Sequence, residues 1–140
     1  EYFHDEVGYN YRMPNLNAAL GVAQLEQLNE RLKQKQVLFD AYADAFRGLP
    51  GAMLFHAPEV SKSNNWLVTI VLEPSYANER NHILQVLNDS GVMARPVWTL
   101  MHRLKMYHCA PRADLSQAED LEGRLLNIPS SAYLGRRGAS

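Results

Sequence analysis

The feature that most constrains this chain is a single helical track running from Pro14 to Arg47. Ala18, Val22, Leu25, Leu28 and Leu32 follow one another in steps of three and four, and Phe39, Ala43 and Phe46 continue the stripe with little loss of phase. Pro14 suits a first helical turn, and Gly48 followed by Pro50 is a strong stop. The pattern predicts one long helix over 14–47, or two collinear helices jointed in the polar stretch KQKQ at 33–36. That exceeds the usual globular helix length, so it must reach from one subdomain to another or along a partner subunit.

The rest of the chain has to build a small layer against this rod. Ala52–Ala57 reads as a short strand and Trp66–Glu73 as a β-branched one, with the polar turn SKSNN at 61–65 between them. Asn78–Ser90 reads as a helix capped by Asn78, burying Ile83, Leu84 and Leu87 and stopped by Gly91. Val92–Trp98 reads as a further strand, which Pro96 confines to an edge. Ser116-Gln117-Ala118-Glu119 has the form of a capping box opening a last helix to about Leu126, and the tail RRGAS reads as loose. Strand, helix, strand in that order predicts an α/β layer.

Composition narrows the chemistry. With 14 basic and 15 acidic side chains the net charge is −1, which offers no electrostatic footprint for nucleic acid or an anionic membrane. No apolar run approaches the roughly 20 residues of a membrane helix. The lone Cys109 cannot form an internal disulfide, which suits a reducing, cytoplasmic setting. His4, His56, His82, His102 and His108 lack the tight pairing of a zinc site, so no metal is expected. Ser130-Ser131 is in no nucleophile-elbow context, and there is no Gly-rich phosphate loop.

Two stretches are left as candidates. In GYNYRMPN (8–15), Asn10 and Arg12 place an amide donor and a planar cation two residues apart, just ahead of a helix N-terminus where anions are favoured; satisfying backbone groups in a loop is the plainer alternative. In RPVWTLMH (95–102), continuing to Tyr107, an Arg, Trp, His and Tyr share one irregular segment after a strand, as at a binding rim or in a packed loop anchored by the Trp. The first dozen residues, with Tyr2, Phe3, Val7, Tyr9 and Tyr11, are too apolar for a solvated arm and need a surface to lie on.

Taken together, GYNYRMPNLNAALGVAQLEQL (8–28), ARPVWTLMHRLKMY (94–107) and DLSQAEDLEGRLLNIPSS (114–131) resemble the C-terminal portion of the DegT/StrS sugar aminotransferases. The later stretches are similar to the branch that makes 4-amino sugars on UDP-linked deoxysugars of the bacillosamine or legionaminic-acid type. The resemblance implies a fold-type-I enzyme using pyridoxal 5′-phosphate (PLP), homodimeric, with active sites at the subunit interface. It divides the chain into an interface arm at 1–13, a connector helix at 14–47 and a small C-terminal α/β domain at 48–140. By residue matching, Asn10 would reach the PLP phosphate of the neighbouring subunit, with Arg12 in the same wall. Arg95, Trp98, His102 and Tyr107 would line the sugar-nucleotide entrance. None of Lys33, Lys35, Lys62 and Lys105 matches the cofactor-bearing lysine, which lies upstream in the family. Lys33 and Lys35 read as solvated, so the chain by itself is expected to be inactive. The activity implied is transfer of an amino group, from glutamate, to a 4-keto UDP-sugar. The alternatives are a stand-alone, non-catalytic binding or dimerisation module, or a PLP-dependent sugar dehydratase of the same fold.

Overall fold

The computed structural model of the chain describes Tyr9 and residues 11–136. Asn10 and the arm residues Tyr2, Phe3 and Val7 lie outside them, as do the last four residues of the tail. The long track forms two helices, α1 (Asn15–Glu26) and α2 (Leu28–Phe46). The joint is Gln27, six residues before the earliest position expected, with its N–H turned back to Gln24 and Leu25 carbonyls. The KQKQ stretch stays helical, with Gln34 covered and the side chains of Gln34 and Gln36 engaged by neighbours. Gln34 is buried and its amide donates to Glu30 Oε1 at 2.8 Å, while Gln36 Oε1 accepts from Asn65 Nδ2 at 3.0 Å. The break falls instead where the rod leaves its support, since α1 buries no residue at all.

A four-stranded sheet carries the rest: β1 (Ala52–Leu54), β2 (Val68–Leu72), β3 (Arg95–Pro96) and β4 (Leu125–Ile128), in the order β1-β2-β4-β3. Every pairing is antiparallel. β2 and β3 each oppose β4, so they run parallel to one another with β4 inserted between them: a split strand–helix–strand unit around α3 (Arg80–Asp89). Pro96 sits on the edge strand, as its missing N–H requires. Registers Leu54↔Ile70↔Leu126 and Val68↔Ile128 put these apolar side chains on one sheet face. There they pack with Leu84 and Ala94, and with Phe39, Tyr42, Ala43 and Phe46 of α2, to make the core. Gly48 and Gly91 end α2 and α3 at φ +74° and +80°, a conformation glycine adopts without steric cost.

Several sequence expectations are corrected. The first strand stops at Leu54, with Phe55 N–H to Thr69 O as a last rung, and the second covers only 68–72. The Val92–Trp98 strand shrinks to Arg95–Pro96. Asn78 caps nothing: Pro74 starts a tight 3₁₀ turn over Pro74–Glu79, and α3 begins behind it at Arg80. The Ser116 box does not close either. Asp114 takes the Ser116 N–H at 3.3 Å and its hydroxyl at 2.8 Å, and Glu119 turns elsewhere. The last predicted helix ends at Arg124 in α4 (Ser116–Arg124), because Leu125–Ile128 is pulled extended into the sheet centre, where Leu126 is wholly buried. Arg136, expected in a loose tail, closes a short helix α5 (Ala132–Arg136) docked on α2.

Candidate functional site

The rim segment begins where α3 hands the chain to β3. Asn88 Nδ2 donates to Leu84 O at 2.7 Å and Ala94 O at 2.9 Å, and Ala94 is buried, so the start of β3 is clamped to the helix end. That fixes Arg95 opposite Asn127 on the outer sheet face. Arg95 is exposed and, among the described residues, its side chain forms no ion pair or hydrogen bond. It borders a groove of about 430 Å³ with Asn127, Ser130, Ser131 and Tyr133. Asn127, buried, accepts from the Thr69 hydroxyl at 2.7 Å. A cation among hydroxyls and an amide suits an anionic ligand.

Beyond Pro96 the chain leaves the sheet. Trp98, 65% exposed, stacks on Trp66, 64% exposed, with ring centroids 6.1 Å apart and planes at 30°. Two 3₁₀ turns follow, Met101–Arg103 and Lys105–Tyr107, and the first is held to α4 by a hydrogen bond and an ion pair. His102 Nε2 lies 2.8 Å from Glu119 Oε1, and Arg103 bonds Glu122. The His102 side chain is largely covered, and with Tyr107 it lines an open, mainly apolar pocket of about 270 Å³ together with Leu100, Pro111 and Leu115. The four rim candidates are thus on one segment but in three environments: Arg95 on its groove, Trp98 on Trp66, and the covered His102 with the exposed Tyr107 at an apolar pocket.

Arg12 is exposed ahead of α1, next in the chain to Tyr11, whose ring lies 6.2 Å from that of Tyr9. Asn10 is outside the described residues. Lys35 corrects the sequence reading most sharply. It is no solvated amine: its Nζ donates to Asn65 O at 2.8 Å, Trp66 O at 3.3 Å and Ser130 O at 2.5 Å, and burial pushes it below the ordinary lysine value. With all three protons engaged, it has no free position for a carbonyl partner. Lys33 and Lys62 border an open groove with Asn29 and Asn64, and Lys105 is exposed. Of the four lysines, Lys35 is thus the covered one, and its protons are already engaged, so it does not fit as the amine that would seat the PLP ring. Sequence reasoning missed Trp66, which it absorbed into a strand; a Trp following a polar turn was the available signal. Nothing in the sequence marked Lys35.

Among the described residues no group of His, Cys, Asp and Glu is placed to hold a metal, and no helix is long and apolar enough to cross a membrane.

Comparison with known proteins supplies the wider frame. The chain is 34% identical over 136 residues to the GDP-perosamine synthase of Vibrio cholerae, covering 92% of this chain and 35% of that protein. It is 28% identical over 135 residues to a UDP-4-amino-4,6-dideoxy-N-acetyl-beta-L-altrosamine transaminase of Campylobacter jejuni, covering 96% and 36%. In structure it superposes on S. venezuelae DesV with a TM-score of 0.79 at 26% identity, covering 99% of this chain and 37% of DesV. The chain thus spans about a third of the length of its relatives, whose family is PLP-dependent. With the DegT/DnrJ/EryC1/StrS aminotransferase family matching residues 1–138, from the arm before α1 past α5, the chain belongs to that family.

Proposed function

We propose that this chain forms the C-terminal part of a PLP-dependent aminotransferase that moves an amino group, from glutamate, onto a 4-keto deoxysugar carried by a nucleoside diphosphate, for surface-glycan synthesis. The observation that carries the reading is the family match across residues 1–138, which takes in both candidate stretches. The named relatives include both GDP- and UDP-sugar enzymes, so the UDP expectation stands beside GDP.

In this reading the arm (1–13) and the connector (14–47) lie along a second subunit of a homodimer, and 48–140 is the small domain. PLP, when bound, supplies the electron sink that amino transfer needs. The residues of this chain bind and orient. Asn10 donates an amide N–H to the cofactor phosphate of the neighbouring subunit, and Arg12 adds positive charge to the same wall. Arg95 takes an anionic group of the sugar nucleotide at its groove, and Trp98 offers its ring to the same ligand. His102 and Tyr107 line the apolar pocket beside the same segment. Four exposed large apolar residues of α1, Leu16, Leu20, Val22 and Leu25, with Leu28 at the start of α2, support a covered position for the connector.

The test is an amination assay on the protein expressed from its complete reading frame, with PLP, glutamate and UDP- or GDP-linked 4-keto sugars, read by product mass. Borohydride trapping runs in parallel. Expected are an aminated sugar nucleotide, and a pyridoxyl group on a lysine other than the four of this chain. No amination of either sugar nucleotide, or labelling at Lys35, sinks the proposal.

A further inference from the structure

The rim holds a second indole that the family resemblance did not point to. Trp66 and Trp98 lie against each other at 6.1 Å and 30°, and each keeps about two-thirds of its surface in solvent. Exposed tryptophans bury large area when covered, so a stacked pair held open is a surface awaiting a flat, apolar partner.

Two observations distinguish it from a mere packing face. First, Trp66 is held rigidly from behind. Its N–H donates to Asn64 Oδ1 at 3.0 Å, and its carbonyl accepts from Ser130 Oγ at 2.7 Å and from Lys35 Nζ at 3.3 Å. The preceding Asn65 is buried in the left-handed region, φ +49°, its amide bonded to Gln36. Second, the pair is flanked by exposed polar residues, Lys62, Ser63 and Asn64 before Trp66 and Thr99 after Trp98. On α1, by contrast, exposed apolar residues run on for the length of the helix. A preorganised aromatic surface suits a small planar ligand, since part of the ordering cost of binding is already met. Arg95, three residues before Trp98 and without a partner among the described residues, adds a cation for an anion on the same ligand.

We infer that Trp66 and Trp98 together form the base-stacking surface for the nucleoside diphosphate of the substrate, with Lys35 positioning Trp66. The inference rests on the nucleotide-sugar reading above and adds the residues that grip the base. Indoles take the π face of any base, which fits relatives named for GDP- and UDP-sugars alike.

The experiment measures binding of UDP, GDP and ribose 5-phosphate by calorimetry to the complete protein and to Trp66→Leu, Trp66→Phe and Trp98→Leu. The parent is assayed for amination alongside. Expected is a loss of roughly fivefold or more in diphosphate affinity for each Leu variant, the lower end of one base–aromatic stack. Ribose 5-phosphate binding stays unchanged, Trp66→Phe restores most of the loss, and the KM for glutamate does not move. If both Leu variants bind UDP and GDP like a parent that aminates sugar nucleotides, the stacking surface is wrong and the function stands. A loss that Trp66→Phe does not restore, or that extends equally to ribose 5-phosphate, assigns Trp66 to packing and also overturns it. A parent that binds neither diphosphate and aminates neither sugar removes the functional reading, and the inference with it.

Discussion

Lys35→Met tests the buried ammonium directly. Methionine keeps most of the aliphatic stem and removes all three donors. Trp66 O still accepts from Ser130 Oγ at 2.7 Å, so it is not orphaned. Asn65 O and Ser130 O lose the bonds that measure 2.8 and 2.5 Å. A polar group left without its partner costs ~1–3 kcal/mol when buried. The half-buried setting lets water recover part of that, about 1–1.5 kcal/mol remaining per carbonyl. Relief of the lysine's own desolvation, the cause of its lowered pKa, offsets some of the sum. The net is a loss of about 2 kcal/mol, or a fall in Tm of roughly 6–10 °C for a chain this size. Urea unfolding is the assay, with a lowered midpoint at unchanged slope expected. Lys33→Met, exposed two residues away, is the control and should stay within about 0.5 kcal/mol of the parent. A Lys35→Met loss no larger than the control's would refute the reasoning, and would mean that water serves these carbonyls as well as the ammonium does.

Further outcomes follow from the same packing. At Gly135 an added Cβ would stand 2.0 Å from the backbone oxygen of Gln34, so Gly135→Ala should force α5 off α2 and cost ~2–3 kcal/mol, seen as a lower unfolding midpoint and faster amide exchange over 132–136. Leu126→Ala, at the wholly buried centre of the sheet, should cost ~3 kcal/mol in the same unfolding assay. Asp114 is held below the ordinary carboxylate value mainly by the Ser116 hydroxyl, and Asp120 mainly by its hydrogen bond to Arg124. A depressed folded pKa contributes stability that is complete above the unfolded value of 3.8 and lost as pH falls through the lower folded one. Midpoints measured down from about pH 5 should therefore drop below pH 3.8, and drop less steeply in Asp114→Asn and Asp120→Asn.

What the sequence disclosed was what periodicity and glycine encode. The stripe through Phe39, Ala43 and Phe46 does face the core, and Gly48 and Gly91 do end helices. Long-range pairings carried no such signature. Leu125–Ile128 has a run short enough to finish a helix, and only the neighbouring β2 and β3 make it a strand. The capping box failed because Glu119 has a better use, the ring of His102 seventeen residues back in the chain. Lys35 looked solvated because its three acceptors lie 30 to 95 residues away. At the rim the residue types were legible, but Trp66 acquires meaning only through Trp98, from which a helix and two strand ends separate it.

The break at Gln27 divides the chain into two mechanical regimes, and this bears on how a rim could be kept rigid. α2 is tied to the sheet by its apolar face, by Lys35 and, two turns on, by the Tyr42 hydroxyl donating to Pro129 O at 3.1 Å. Lys35 and Tyr42 together grip the turn at 129–130, and Ser130 in turn grips Trp66. A displacement of α2 relative to the sheet is therefore transmitted to the loop that carries the indole. α1 has no such ties: it buries nothing, and a helix of 12 residues gains little from propensity alone. Its apolar residues can be stabilised only by a surface beyond the described ones, as the proposed dimer would provide. The connection from α1 to the domain runs through Gln27, whose N–H turns back to the Gln24 carbonyl at 3.3 Å while its own carbonyl accepts from the Arg31 N–H at 3.1 Å.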